Sequence, residues 1–279
     1  MLKNLLYEAD LHCHTTASDG ELTPAGVVQL AAKSGLKALA ITDHDTISGL
    51  KEAEIKAQET GLILVKGIEI NTEGPEKEIH VLGLGLDDNS SYLKEKLLEL
   101  QKKRIARSKE ILEKLRKLGI EIPFQKVLSF AKGESVGRPH IAKAMFEAGY
   151  VEDFREAFTD YLRLGGSAYV PREKLSPSTA IQIIRKSGGV AVLAHPGSQV
   201  SEKEIKNFIC EGLQGIEVEH PDHSPAEVER LRELAIDMNL IATGGSDFHG
   251  EGVKPGIKIG AWGVGLEVLE QLNEARAKV

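Results

Sequence analysis

Histidines and carboxylates recur in this chain at the ends of short apolar runs. Two of these groups have a two-residue spacing, His12 with His14 and Asp247 with His249. Side chains two positions apart on a strand point to the same face, so each pair can approach one ligand together. Neutral imidazole and carboxylate without thiolate form a donor set that suits Zn, Mn or Fe. The whole set comprises His12, His14, Asp19, His44, Glu69, His80, His195, Asp247 and His249.

This set has more donors than one ion needs, since a structural zinc ion takes four ligands. Carboxylates can bridge ions, so the residues predict a cluster of two or three divalent metal ions. Each segment alone is ambiguous. His12 and His14 alone could be incidental, Glu69 a solvated strand-end carboxylate, and His195 a hydrogen-bonded core histidine. The prediction depends on six segments that supply ligands to one place.

Apolar runs alternate with helical patterns along the chain. The predicted helices end at glycine, as after Ser34 and Thr60, which is the favoured left-handed cap. Repetition of strand and helix predicts an α/β fold, a TIM-like barrel one strand short of eight. Strands are predicted over Leu5–His14, Ala38–Thr42, Ile63–Ile70, Ile79–Leu86, Val190–His195, Gly215–Glu219 and Leu240–Gly244. In such a barrel, polar residues at the carboxyl ends of the strands converge on one mouth.

Two stretches interrupt this alternation. Asn71–Glu78 is too short for a helical crossover, so the flanking strands should form a hairpin that brings His80 near Glu69. Residues 87–175 have helical patterns, with one long charged helix over Tyr92–Leu118 whose charges we interpret as a solvated face. We therefore expect a metal-binding barrel from residues 1–86 and 176–279, with a helical insertion over 87–175 that caps the substrate.

The charge of the chain limits its partners. It has 279 residues, with 35 Lys+Arg against 42 Asp+Glu, and aromatic residues make up 5%. Proteins that hold long duplex nucleic acid are usually basic, so this partner is not expected, whereas a small phosphate ester is. Two cysteines and no long apolar run near Met1 favour a cytoplasmic protein that has no membrane partner.

The ligand segments resemble the polymerase and histidinol phosphatase (PHP) family, and the resemblance covers nearly the whole chain. It is carried by His12-Cys13-His14 with Asp19-Gly20, Thr42-Asp43-His44-Asp45, Gly67-Ile68-Glu69, His80, Ala194-His195-Pro196 and Gly245-Ser246-Asp247-Phe248-His249. The family implies a distorted (β/α)7 barrel holding three ions. By the resemblance, one ion binds His12, His14, Glu69 and Asp247, a second Glu69, His80 and His195, and a third Asp19, His44 and His249. Asp19 departs from other branches, which have histidine there.

The insertion, together with Gly188–Ala191 of the barrel, resembles one stand-alone branch of the family; within the insertion the resemblance is carried by Val136–Ala142, Tyr161-Leu162 and Tyr169–Pro171. This branch removes the 3′-phosphate from nucleoside 3′,5′-bisphosphates, and some members degrade short single-stranded RNA from the 5′ end. The resemblance thus implies a phosphoesterase whose nucleophile is hydroxide, formed on ions that lower the pKa of water. Alternatives are a histidinol-phosphate phosphatase and, in another class, a non-catalytic metal-binding module.

Four basic residues are candidates for substrate binding. Arg138 can bind a non-reacting phosphate through two parallel hydrogen bonds, or it is a surface arginine in a turn. His140 assists Arg138, or its ring nitrogens form hydrogen bonds with nearby groups at the start of a helix. Arg172 and Lys174 line the mouth, or are solvated loop charges.

Two histidines follow the sixth predicted strand and are candidates for the catalytic proton donor. We favour His223 over His220 for protonating the leaving oxygen, with Asp222 or Glu219 orienting a histidine. The alternative is that both histidines support the ligands without acting on the substrate.

Overall fold

The computed structural model describes residues 7–73, 78–131, 135–171 and 175–277. Within these ranges one sheet has seven strands in the order of the chain. They are β1 (Ala9–Asp10), β2 (Ala38–Ile41), β3 (Ile63–Glu73), β4 (Glu78–Leu84), β5 (Val190–Leu193), β6 (Gly215–Glu219) and β7 (Ile241–Gly244). The strands curve into a nearly closed barrel, which confirms the distorted seven-stranded architecture.

The distortion comes from β4, the one strand of this sheet that runs against its neighbours. β3 and β4 pair antiparallel with Glu69 opposite Leu82 and Asn71 opposite His80. β4 also pairs antiparallel with β5, whereas the other neighbouring strands are parallel. The predicted hairpin is therefore confirmed. It brings His80 beside Glu69 without a crossover helix.

The two ends of the sheet are joined through the chain that follows β1 and β7. Leu11 N–H donates to the Gly244 carbonyl (3.1 Å), and Asp247 N–H donates to the His12 carbonyl (2.8 Å). A Cβ at Gly245 would overlap the backbone of His12, so only glycine permits this approach. The regular part of β1 is shorter than predicted, but its extended continuation carries the first ligand pair beside the last one.

Ten helices surround and cap the described barrel. They are α1 (Pro24–Ser34), α2 (Leu50–Thr60), α3 (Ser91–Lys117), α4 (Phe124–Phe130), α5 (Arg138–Glu147), α6 (Phe154–Glu156), α7 (Pro177–Lys186), α8 (Glu202–Cys210), α9 (Pro225–Asp237) and α10 (Glu267–Arg276). α6 continues as a π-helix over Ala157–Leu162. No helix in the described ranges has both the length and the apolar character needed to cross a membrane.

The helices between β4 and α7 bury a hydrophobic cluster of their own. Leu115, Ile141, Met145 and Leu162 are among its fully buried side chains. A separate cluster lies between β3, β4, β5 and the helices α7 and α9. The insertion thus has an internal core, while its boundaries at residues 87 and 175 stay a prediction.

Candidate active site

The predicted ligands meet at the mouth of the barrel, as four overlapping groups of side chains. In each group the possible ligand atoms lie within 4.8 Å of one another. The groups are His14, Asp19, His44 and His249; His12, His14 and Asp247; His12, Glu217 and His220; and His44, Glu69 and His80. His195 joins them through Glu69. The structure therefore brings together all nine residues, although their role as ligands stays a prediction.

Glu69 lies at the centre of the cluster and is 1% exposed. Its Oε1 atom is 2.8 Å from His80 Nδ1 and 3.1 Å from His195 Nε2. Its Oε2 atom is 2.9 Å from His44 Nδ1 and 3.1 Å from His14 Nε2. A carboxylate that faces four imidazoles with both oxygens would be able to help hold more than one ion.

Backbone strain is concentrated at the same mouth. Asp45, His195 and Asp247 have φ angles of 53°, 28° and 50°, in the left-handed region that side chains seldom adopt. Each such residue costs about 1–3 kcal/mol unless its surroundings enforce the conformation. Two of these residues, His195 and Asp247, belong to the cluster, and the third, Asp45, binds Arg104 of α3.

Several possible ligand atoms at this mouth lie near charged neighbours but make no hydrogen bond of adequate geometry in the described chain. They are buried: His12 Nε2, His14 Nε2, Asp19 Oδ1 and His220 Nε2. Leaving one buried polar atom unpaired costs about 1–3 kcal/mol, and coordination of a cation removes that cost. The carboxylates already attract one cation of the protein, because the Lys254 ammonium contacts Asp247 Oδ2. The donors therefore fit a cluster of divalent ions.

The pKa values describe the same concentration of negative charge. Burial alone lowers the pKa of His14, but Asp247 and Glu69 raise it to about 10. Burial raises the pKa of Glu69, but neighbouring imidazoles, His44 and His80 foremost, hold it well below its ordinary value. The carboxylates thus stay charged, and they attract a proton or a metal ion to the imidazoles.

Glu217 belongs to the site and was missed by the sequence analysis. It is fully buried on β6, and its two oxygens lie 3.0 and 3.2 Å from His12 Nδ1. Its Oε2 also accepts the His195 backbone N–H at 2.8 Å. Burial raises its pKa, but His12 and His220 lower it to about 2. A charged carboxylate at His12 Nδ1 leaves Nε2 free to face the cluster.

Neither Glu219 nor Asp222 hydrogen-bonds a histidine through its carboxylate among the described contacts. Glu219 accepts from the Tyr7 hydroxyl at 2.9 Å and from Arg232 at 2.6 Å. The Asp222 side chain is 74% exposed and stays 3.9 Å from His220 Nδ1. The signal that could have identified Glu217 is its position inside the strand, between the apolar residues Ile216 and Val218.

Replacing Glu217 with glutamine is expected to weaken metal binding by about 10- to 100-fold, because the amide holds His12 less firmly and lacks the charge. Metal retained against a competing chelator measures the change. Glu219→Gln is the matched control on the same strand, and its metal affinity should match that of the unsubstituted protein. Equal losses in the two variants would contradict the assignment.

His220 and His223 differ in what their ring nitrogens contact. His223 Nδ1 donates to the Val218 carbonyl at 2.8 Å, and its Nε2 accepts the Gly197 N–H at 3.1 Å. The structure therefore argues against the preference for His223 as proton donor, since both of its ring nitrogens are used by backbone.

His220 keeps one nitrogen available. Its Nδ1 accepts the Asp222 N–H at 3.1 Å, so the neutral ring carries its proton on Nε2. That Nε2 is buried, lies 3.4 Å from Asp247 Oδ2, and has no hydrogen-bond partner in the described residues. Burial lowers the pKa of His220, which favours the neutral donor form.

The predicted substrate-binding residues are placed differently from one another. His140 accepts the Gly137 N–H on Nδ1 (3.0 Å) and donates to the Ser18 carbonyl from Nε2 (2.9 Å). Those bonds favour the structural alternative, in which His140 fastens α5 to the loop before Asp19. Arg138 lines a pocket beside the predicted metal ligands, but its Nη2 binds both oxygens of Glu78 at 2.9 and 2.8 Å. Arg172 and Lys174 lie outside the described residues.

Two arginines that the sequence analysis left unassigned line the same pocket. Arg104 and Arg107 lie on α3, within the stretch interpreted as a solvated face. The Arg104 side chain is only 10% exposed, so that interpretation is wrong for this face of the helix. The pocket is also lined by Asp19, His44 and His80, and it therefore connects the insertion to the cluster.

Comparison with known proteins identifies the family. The sequence profile of the family described as 'PHP domain' matches residues 10–170 of this chain. The chain belongs to the PHP domain family. A 5′-3′ exoribonuclease of Haemophilus influenzae is 38% identical over 86% of this chain and 89% of its own length. A 3′,5′-nucleoside bisphosphate phosphatase of Chromobacterium violaceum is 34% identical over 87% of each chain.

A solved structure extends the similarity to the whole fold. It is a protein of Bifidobacterium adolescentis assigned as a metal-dependent phosphoesterase. It superposes with a TM-score of 0.90 at 33% identity, over 97% of this chain and 96% of that one. The PHP barrel and its insertion are therefore shared as one arrangement.

Proposed function

We propose that this PHP protein is a metal-dependent phosphoesterase that removes the 3′-phosphate from nucleoside 3′,5′-bisphosphates and shortens small RNAs from the 5′ end. The observation that carries the proposal is the buried cluster of imidazoles and carboxylates, with unpartnered nitrogens, beside an arginine-lined pocket. The two curated relatives, named for these two activities, support it.

The proposed ligands divide among three ions as the family resemblance implies. One ion takes His12, His14, Glu69 and Asp247, another takes Glu69, His80 and His195, and the third takes Asp19, His44 and His249. The contacts of Glu69 with His14, His80 and His195 support its place between the first two. Mn, Zn or Fe suits these donors, and bound ions would supply hydroxide near neutral pH and neutralise phosphoryl charge.

The remaining residues act through position and hydrogen bonds. Glu217 holds His12 so that Nε2 faces the cluster. His220 donates from Nε2 to the ribose oxygen that leaves phosphorus, where negative charge develops. Arg138, balanced by Glu78, contributes to the wall of the pocket that receives the rest of the nucleotide.

The two proposed activities break the same bond. In a nucleoside 3′,5′-bisphosphate, water attacks the 3′-phosphorus and the bond to the 3′-oxygen breaks. In a 5′-phosphorylated RNA, the same attack on the first internucleotide phosphorus breaks the bond to the 3′-oxygen of the first nucleotide. Both reactions release a nucleoside 5′-monophosphate, while the other product is phosphate or the shortened 5′-phosphorylated RNA. One site can therefore perform both.

Removal and return of metal test this proposal. The protein is stripped with a chelator, dialysed, and reloaded separately with Mn, Zn or Fe. Phosphate release is then measured from adenosine 3′,5′-bisphosphate and from histidinol phosphate. We expect no turnover without metal, and preferential hydrolysis of the bisphosphate with it. Preference for histidinol phosphate would establish the alternative phosphatase, and no hydrolysis with any metal would favour a non-catalytic module.

A further inference from the structure

We propose that Arg104 and Arg107 of α3 form the subsite for the phosphate that is not cleaved. On the proposed function this is the 5′-phosphate of the nucleotide, so the inference rests on that function. Arg104 and Arg107 would then select substrates that carry a second phosphate over simple monoesters.

The helix presents both arginines to the pocket from one face. They are three residues apart, so they are neighbours on the helix surface. Ser108 and Ile111, on the same face, line the pocket as well. His44 and His80, which are predicted metal ligands, line the same pocket. A phosphate held by α3 therefore lies in the same pocket as the cluster, on the side that the insertion contributes.

Each of the two guanidinium groups has a buried nitrogen with no partner in the described chain. Arg104 donates from Nε to Asp45 Oδ2 at 2.7 Å and from Nη1 to the Val136 carbonyl at 3.3 Å, which leaves Nη2 unpaired. Arg107 donates from Nε to the Val170 carbonyl at 2.9 Å, and its Nη2 is also unpaired. The protein thus orients both guanidinium groups, and the Nη2 atom of each can donate to a bound phosphate.

The charge at Arg107 favours an anion. Among the described residues its hydrogen-bond acceptor is a neutral carbonyl, whereas Arg138 is matched by Glu78 and Arg104 by Asp45. Burial, followed by repulsion from Arg138, lowers the pKa of Arg107, and attraction to Glu78, which Arg107 shares with Arg138, offsets only part of this. A phosphate dianion would supply acceptor oxygens and the missing negative charge together.

The contact between Arg104 and Asp45 fixes how far this subsite lies from the cluster. Asp45 directly follows His44, and its Oδ1 accepts the Asn71 N–H of β3 at 3.1 Å. The same carboxylate thus joins the strand end that carries a predicted ligand to the helix that carries the arginines. A fixed separation selects for two phosphates at one spacing, as the 3′ and 5′ positions of a ribose provide.

The test compares Arg107→Gln with Arg116→Gln, a matched control on the exposed side of the same helix, where Arg116 pairs with Glu113. Binding of adenosine 5′-monophosphate and of adenosine to the metal-loaded protein is measured by calorimetry. We expect Arg107→Gln to weaken binding of the monophosphate by about 10- to 100-fold and to leave binding of adenosine within about threefold. Arg107→Lys, which keeps the charge but not the planar fork, should fall between.

The kinetic readout is the ratio of kcat/KM for adenosine 3′,5′-bisphosphate to that for adenosine 3′-monophosphate. This ratio should fall about tenfold or more in Arg107→Gln and Arg104→Gln, and it should stay unchanged in Arg116→Gln. Unchanged monophosphate affinity in Arg107→Gln, or equal losses on both substrates, would overturn the inference. If no nucleotide is hydrolysed at all, the proposed function fails, while the binding measurement still decides whether Arg107 holds a phosphate.

Discussion

Glu69→Gln is expected to abolish turnover and to deplete the protein of metal. Glu69 faces His14, His44, His80 and His195 with its two oxygens. Glutamine keeps the shape, but it removes the charge and replaces one acceptor oxygen with an amide that donates. Two of the proposed ions lose a shared anionic ligand. We expect kcat/KM for the bisphosphate to fall by at least about 10³-fold.

Elemental analysis of the purified variant measures the loss directly, alongside turnover. Glu54→Gln is the control, since this carboxylate on α2 is 41% exposed and pairs with Lys66. Circular dichroism of the two variants separates loss of metal from loss of fold. A folded Glu69→Gln protein that kept its metal content and its activity would contradict the place given to Glu69.

Much of this centre can be predicted from the sequence because its donors obey local rules. His12 with His14, and Asp247 with His249, have the two-residue spacing that puts side chains on one face of an extended chain. The connection between β3 and β4 is too short for a helix, which forces the hairpin and brings His80 to Glu69. Spacing and connection length are properties of the chain itself, so they can be read before the fold is known.

The arginine subsite depends instead on tertiary placement. α3 has 27 residues and carries lysines and arginines on several faces. Nothing in that pattern distinguishes Arg107, which packs towards the pocket, from Arg116, which pairs on the surface with Glu113. The distinction arises from how the insertion docks on the barrel, through contacts such as Arg104 with Asp45. The π-helical turn at Ala157–Leu162 is likewise absent from the periodic pattern.

The choice between His220 and His223 also could not be made from the sequence. Both follow the same strand, and both are buried. Their roles diverge because backbone groups of residues 197, 218 and 222 reach particular ring nitrogens. A histidine can donate a proton to a substrate only where one ring nitrogen makes no hydrogen bond to the protein, and the sequence does not reveal which nitrogens are bonded.

The substitution His220→Asn tests whether His220 is the proton donor, and we expect it to cause a large loss of activity. The asparagine oxygen can replace Nδ1 as acceptor of the Asp222 N–H, while the donor at Nε2 is lost. If His220 donates to the leaving oxygen, the loss depends on how much that oxygen needs stabilising. We expect kcat to fall by about 10²–10³-fold on adenosine 3′,5′-bisphosphate, whose leaving group is a ribose alkoxide. On p-nitrophenyl phosphate, whose phenolate leaves readily, the loss should be less than about tenfold.

His223→Asn is the matched control because both nitrogens of His223 serve the backbone. Its loss should be similar on the two esters and should accompany a lower melting temperature, since the Gly197 N–H loses its acceptor. Equal losses on both esters in His220→Asn would instead make His220 a structural or metal-holding residue. A dependence on the leaving group in His223→Asn would restore that residue as the donor. The two substitutions therefore assign the proton donor by chemistry, where position along the strand cannot.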